Sequence, residues 1–271
     1  MKVSMEGYSF WELMSKQQMN LFSWLESLAC RYHVRGAGIW SAFLPGHAQR
    51  SEIPDEYVEK VVRTMQELEL ELPNLHCDNC CVCSDDVDDQ AEAKKYAMHM
   101  LRLGAKLGAK SVRIDWGVRT ETLTPAQEER IVETYREFCA FGEDHGMKVG
   151  PENHFGASMH PDLLLRVSRE IQSPAYGVLL HLGRWAADVS TEEQLAAERA
   201  FAPMAMHCHV DFRVDSSISD LSMENRLRNI RDAGYDGWYG VEHAPVGNTH
   251  AVNEALLSRL RLALNRLQSE T

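Results

Sequence analysis

Four stretches in the second half of the chain decide the fold: 148-KVGPENHFG-156, 176-YGVLLHLGRW-185, 204-MAMHCHVDF-212 and 238-WYGVEHA-244. Each is a short apolar run that ends in a group able to bind a metal or move a proton, namely Glu152, His181, His209 and Glu242. Their separations are 29, 28 and 33 residues, each close to one strand plus one helix. A single His, Asp or Glu at a strand end means little, because such residues make up about one position in five. Four in succession, each in a run where an unpaired charge is costly to bury, carry weight.

Working outward, the same rhythm runs through the whole chain. Further strands are expected at Lys2–Met5, Gly36–Ser41, Glu69–Cys77 and Ser111–Trp116. Together with Lys148–Asn153, Tyr176–Leu182, Met204–Phe212 and Trp238–His243 they make eight. Between them lie segments of helical period at Tyr57–Leu68, Gln90–Leu107, Ala126–His145, Pro161–Ile171, Thr191–Ala200 and Met223–Ala233, with a last helix over Ala251–Gln268. Thr124-Pro125 reads as an N-cap and first-turn proline, and His145-Gly146 and Ala233-Gly234 as helix ends just before strands. Strands alternating with helices predict a parallel sheet, and eight units of about 34 residues suit an α/β fold of the (β/α)8 TIM barrel type, one domain over residues 1–271. An open doubly wound sheet is the alternative, but the chain has no G-x-G-x-x-G or P-loop motif.

Composition limits the function classes. With 28 basic and 40 acidic residues the net charge is −12, which argues against a nucleic-acid groove or an anionic membrane surface. No run approaches the roughly 20 apolar residues of a membrane span, and the first residues lack a secretory signal pattern, so a cytoplasmic protein is expected. Of seven cysteines, Cys30, Cys139 and Cys208 lie in apolar contexts that predict buried thiols. Cys77, Cys80, Cys81 and Cys83 crowd into one loop without the two separated pairs of a structural zinc site, so a reduced, partly buried loop is expected.

In a parallel barrel, groups at strand ends converge on the C-terminal rim. Two imidazoles and two carboxylates there form a credible site for one divalent metal. Other rim candidates each have a plainer alternative. Arg113 and Asp115 end the fourth strand on one face, to hold a substrate oxygen or to form an ion pair. His154 follows Glu152 by two residues, as a substrate contact or a loop histidine, and His207 precedes His209 by two, as a substrate-site partner or a lower-layer histidine. Arg213 could meet an acidic or phosphate group, and Trp40 and Trp116 could wall a sugar ring. His76 and Asp78 at the third strand end are weaker candidates.

These motifs resemble the xylose isomerase-like barrels, in particular the sugar phosphate isomerase/epimerase group with its inosose dehydratases, ketose 3-epimerases and hydroxypyruvate isomerases. The resemblance is carried by SFWELMSKQQMNLFSWLE and GAGIW near the start, which resemble the family's opening strand, helix and second strand, by AKKYAMHMLRLGAKLGAKSVRIDWG, and most specifically by PENHFG, HCHVDF and GWYGVEH. It implies that Glu152 and Glu242 are metal ligands and an acid/base pair, that His209 is a metal ligand, and that Asp211 stands near the acidic residue following it. His181 replaces the usual Asp, Arg184 stands where a His often follows, and the usual Lys of strand seven is missing. The implied cofactor is one divalent ion, Mn²⁺ first, with Co²⁺, Zn²⁺ or Fe²⁺ suited by the extra imidazole. Its binding should weaken below an imidazole pKa of about 6.5 if unperturbed.

The implied chemistry is removal of a proton next to a carbonyl, through an enediolate, on a keto-sugar or cyclitol. Return of the proton gives isomerisation or epimerisation, and loss of a β-substituent gives a lyase. Hydrolysis of abasic DNA and a non-catalytic sugar-binding role are the remaining alternatives, the first opposed by charge. A homo-oligomer is expected, since barrels of this type often dimerise.

Overall fold

Short apolar runs punctuated by capped helices leave each strand little choice but to pair in parallel with its neighbours. The structure, a computed structural model, describes residues 2–212, 222–243 and 247–270. The strands are β1 (Lys2–Glu6), β2 (Gly36–Trp40), β3 (Leu75–Cys77), β4 (Ser111–Ile114), β5 (Lys148–Gly150), β6 (Val178–His181), β7 (Ala205–Val210) and β8 (Trp238–Val241). The helices are α1 (Trp11–Ser15), α2 (Leu21–Ser27), α3 (Asp55–Glu67), α4 (Val87–Leu107), α5 (Pro125–His145), α6 (Pro161–Ile171), α7 (Thr191–Phe201), α8 (Met223–Asp232) and α9 (Thr249–Gln268).

All eight expected strands form, in the order β5-β4-β3-β2-β1-β8-β7-β6, every pair parallel. Isolated bridges Val149↔Tyr176 and Glu152↔Leu179 join β5 to β6 and close the (β/α)8 barrel. The expected helix ends hold for the same physical reasons. Thr124 accepts from Gln127 N and Pro125 fills the first turn of α5, while Gly146 takes φ +66° at its end. Asp86 accepts from Asp88 N and Asp89 N at the start of α4.

The sequence reading departs from the structure in three places. The alternation in Glu69–Cys77 suggests a long strand, but only Leu75–Cys77 forms one. Glu71 makes a single bridge to Gly36, and Pro73, with no N–H to give, interrupts the ladder. The stretch resembling one opening helix is broken: α1 ends near Gln17, at φ +57°, and α2 restarts behind the Asn20 cap. Cys30 is exposed, whereas Cys139 and Cys208 are buried as expected. Among the described residues no helix is long and apolar enough to cross a membrane.

Closure depends on a close backbone approach. Val149 N donates to Ala175 O at 2.8 Å and Gly177 N to Val149 O at 3.1 Å, and a Cβ on Gly150 would collide with the Gly177 carbonyl. Gly150→Ala is therefore expected to destabilise the protein by about 3 kcal/mol. Gly108→Ala, with open space around it but φ +75°, should cost about 1 kcal/mol. Urea unfolding of both variants checks this; a wild-type midpoint for Gly150→Ala would show that the seam has room.

Candidate metal and active site

Parallel register lifts the four strand-end groups to one level. His181 and His209 pair directly across β6 and β7, and Glu242 follows β8 by one residue. Glu152, just beyond β5, bridges Leu179 at the seam. One donor atom from each of Glu152, His181, His209 and Glu242 lies within 4.8 Å of the others, and all four residues are buried. His181 Nδ1 is 2.9 Å from Glu152 Oε1, and its Nε2 is 3.2 Å from Asp211 Oδ2. His209 Nδ1 lies 3.3 Å from both Glu152 Oε1 and Glu242 Oε2.

Backbone order at this point comes from Asn153, which the sequence reading passed over. Its Oδ1 accepts from His181 N at 2.7 Å, while its Nδ2 donates to His181 O at 2.9 Å and to Arg184 O at 2.8 Å. On the far side of that turn, Gly183 N donates to the buried Glu198, which is ion-paired with Arg226. The loop carrying Arg184 is thus held from both sides. Arg184 Nη1 lies 3.9 Å from Glu152 and 4.0 Å from Glu242.

The electrostatics divide the two carboxylates. Burial pushes Glu242 up, and the facing Glu152 adds to it, to about 8. Burial acts the same way on Glu152, but His154, His209 and the hydrogen bond from His181 outweigh it and hold it well below the usual carboxylate range. Near neutral pH the pair therefore carries one negative charge, on Glu152. Burial also drives His209 down to about 3, so this ring stays neutral far below the unperturbed value of about 6.5. Glu152 Oε2 is buried without a hydrogen bond. Two carboxylates, two imidazoles and an orphaned carboxylate oxygen fit a divalent cation, with the donor set expected from the strand ends.

Above the four lies a cleft of about 360 Å³. Arg113, Asp115, His154, Arg184, Trp40 and Glu242 line it, as does Tyr8, which the sequence reading missed and whose ring meets Trp40 edge-on at 5.2 Å. Arg113 and Asp115 form an ion pair at 2.7 Å that extends to Asp78 at 2.7 Å and His154 at 2.8 Å. The plainer alternative and the rim location therefore hold together. Asp78 also accepts from Trp40 Nε1 at 2.6 Å.

Two expected substrate contacts are placed elsewhere. Trp116 is buried outside the cleft lining, its carbonyl accepting from Cys83 Sγ. His207 lies fully buried in the layer below, 3.1 Å from Glu6 Oε1, because two residues back along a strand means one layer down the barrel. Arg213 lies outside the described residues. All seven cysteines are free, and Cys77 and Cys80, with Sγ atoms 3.4 Å apart, border the cleft. No cysteine joins a metal-capable cluster among the described residues. A hollow of about 540 Å³ at the opposite barrel end, lined by Lys2, Arg35, Glu71 and Trp238 among others, gathers no such set.

Glu242 also sets a proton balance. Its folded pKa of about 8 exceeds an unfolded value of about 4.3. The metal-free fold therefore keeps a proton that the unfolded chain has lost, and its contribution to stability declines as pH rises from about 4.3 to about 8. A cation ligated by Glu242 must displace that proton, with Glu152, His209, His181, His76, Arg113, Arg184 and His154 facing it. Binding of the first divalent ion at pH 7 should release about one proton, and Glu242→Gln should abolish the release. Calorimetry in buffers of different ionisation enthalpy reads this directly; a buffer-independent heat would mean that Glu242 is already ionised or is no ligand.

Comparisons with known proteins agree with the architecture. A comparison with curated proteins finds no match. Among solved structures the chain is similar to the IOLI protein with a bound zinc atom, at TM-score 0.74 and 17% identity over 100% of this chain and 99% of that one. It is similar to 3-keto-D-glucoside 4-epimerase, YcjR, from E. coli, at TM-score 0.74 and 13% identity, covering 97% and 99%. It is likewise similar to the probable 3-DHS dehydratase AsbF from Bacillus anthracis, at TM-score 0.71 and 14% identity, covering 96% and 99%. The family model described as xylose isomerase-like TIM barrel matches residues 34–261. The chain belongs to the xylose isomerase-like TIM barrel family.

Proposed function

We propose that the protein is a metal-dependent sugar isomerase or epimerase that removes a proton next to the carbonyl of a keto-sugar or cyclitol, through an enediolate. The observation that carries this reading is the convergence of Glu152, His181, His209 and Glu242 beneath a cleft lined by Arg113, His154 and Arg184. A divalent cation held by these four would polarise adjacent carbonyl and hydroxyl oxygens of the substrate. Zinc in the similar IOLI protein supports a cation here; Mn²⁺, Co²⁺ and Fe²⁺ suit the same donors.

The chain's own groups then divide the work. Glu152 is the base, since its low pKa keeps it ionised and its Oε2, which makes no hydrogen bond, can accept a proton from carbon. Its return of that proton to the neighbouring carbon is isomerisation. Delivery from Glu242 on the other side, once it has taken up a proton, is epimerisation. Arg184 and Arg113 meet the negative charge that develops on substrate oxygens. Asp115, bonded to Arg113 and His154, fixes the direction in which both point. Trp40 and Tyr8 offer an apolar wall to the ring. Elimination of a β-substituent starts from the same proton removal, and the similar probable dehydratase keeps the lyase in view.

The test is solvent deuterium exchange into keto-sugars, aldoses, keto-glycosides and inososes with Mn²⁺ or Co²⁺ present. One class should incorporate deuterium beside its carbonyl, and the product identifies isomerase, epimerase or lyase. Glu152→Gln should slow exchange by about 10²–10⁴-fold with the circular dichroism spectrum unchanged. A chelator should abolish exchange and added ion restore it. Undiminished exchange in Glu152→Gln would remove the assignment of the base.

A further inference from the structure

One layer below the site, the barrel interior holds a second convergence that the proposed reaction does not use. Glu6, the last residue of β1, points inward between Gly38 of β2 and Gly240 of β8, where a Cβ on either glycine would strike its carboxylate. Glu6, His76 and His209 are all completely buried. Ser4 Oγ donates to Glu6 Oε1 at 2.6 Å and His207 Nε2 lies 3.1 Å from the same oxygen, so Oε1 is satisfied. Glu6 Oε2 is not. It lies 3.0 Å from His76 Nε2 and 3.9 Å from His209 Nε2, yet none of these three atoms makes a hydrogen bond.

That combination separates two explanations. A hydrogen-bonded histidine network would aim ring N–H groups at carboxylate oxygens. Here His76 Nε2 stands at hydrogen-bond distance from Glu6 Oε2 without the geometry of a hydrogen bond. Burying three orphaned polar atoms costs free energy unless something joins them. Among the described residues the ion pairs of Glu6 are all with imidazoles, so no Lys or Arg supplies the missing charge. Tetrahedral bonds of about 2.0–2.1 Å place neighbouring donor atoms about 3.4 Å apart. The separations of 3.0 and 3.9 Å lie on either side of that value.

We propose that Glu6, His76 and His209 hold a second divalent cation beneath the site described above. Two nitrogens and one oxygen suit Zn²⁺ or Co²⁺. Full burial of the three donors keeps such an ion away from the cleft, and it would fix the His209 ring from below. The ring offers Nδ1 to the upper carboxylates and Nε2 to the lower group. With both ions present it bridges them as an imidazolate, and its ring N–H proton goes to solvent. The inference does not depend on the proposed reaction, though it shares His209 with the upper site.

The experiment counts ions in the full chain carrying Cys80→Ser and Cys81→Ser, so that the thiol loop contributes none. The protein is stripped with a chelator, reloaded with Zn²⁺, desalted and analysed by mass spectrometry. Two ions per chain are expected, falling to one in Glu6→Gln and to one in His76→Asn, with folding checked by circular dichroism. His181→Ala should lose the upper ion and keep the lower. One ion in the starting protein and still one in Glu6→Gln overturns the lower site and leaves the upper intact. One ion lost in Glu6→Gln but kept in His181→Ala supports the lower site and removes the upper. A single ion whose affinity only weakens in Glu6→Gln makes Glu6 a positioning residue and overturns the proposal, as does the absence of any bound ion.

Discussion

Two carboxylates facing each other in a buried barrel mouth set the terms for everything around them. Glu152 and Glu242 cannot both be ionised at low cost without added positive charge, and their opposite pKa shifts express that repulsion. The neighbours each answer part of it. Arg113 lies 3.4 Å from Glu152, Arg184 about equally close to both acids, and two imidazoles reach between them. Burial opposes the charge on Arg113, but Asp115, Asp78 and Glu152 more than restore it. Without a metal the proton on Glu242 leaves the pair one negative charge, and the arrangement is compatible with a dication in that proton's place.

The barrel seam explains why this pair can be held so closely. The β5–β6 junction has isolated bridges in place of a ladder, making it the least supported part of the sheet. Glu152 lies on it. Asn153 compensates by gripping the backbone of His181 on both sides, so the weakest join in the cylinder is clamped next to the proposed base. Glu198 and Arg226, buried together between α7 and α8, secure the loop beyond. Positioning therefore comes from backbone hydrogen bonds and a buried ion pair, while Glu152 Oε2 faces Arg113 Nε at 3.4 Å without a hydrogen bond.

Much of this was legible in the chain because period and punctuation agree. Glu152, His181, His209 and Glu242 each close an apolar run, and strand spacing alone predicts their level. Glu6 escaped notice because β1 shows no apolar run; its inward residues, Ser4 and Glu6, are polar and read as surface. The available signal was indirect. Gly38 in GAGIW and Gly240 in WYGVE stand where the barrel has to admit a bulky neighbour, and only pairing places Glu6 beside them. Asn153 was hidden for a similar reason: its role depends on the backbone of His181, 28 residues further on, which lies beside it only once β5 and β6 are joined. Trp116 was misplaced because a rim position in sequence does not fix which side of the loop a ring takes.

The presence of His181 where the resemblance implies an acid gains meaning from the charge count. On the proposed reading, two carboxylates against a dication leave the four-residue site near neutral, where a third carboxylate would leave it negative. Arg184, which in the metal-free chain lies between Glu152 and Glu242, then loses its claim on both, since their charge is matched elsewhere. Asp78 and Asp115 remain committed to Arg113. Among the described residues Arg184 then joins Arg119 as a cationic group lining the cleft, close to both acids. A substrate oxygen that gains negative charge during proton removal would meet it there, and on the proposed reading a histidine in place of an acidic ligand is what leaves that charge available.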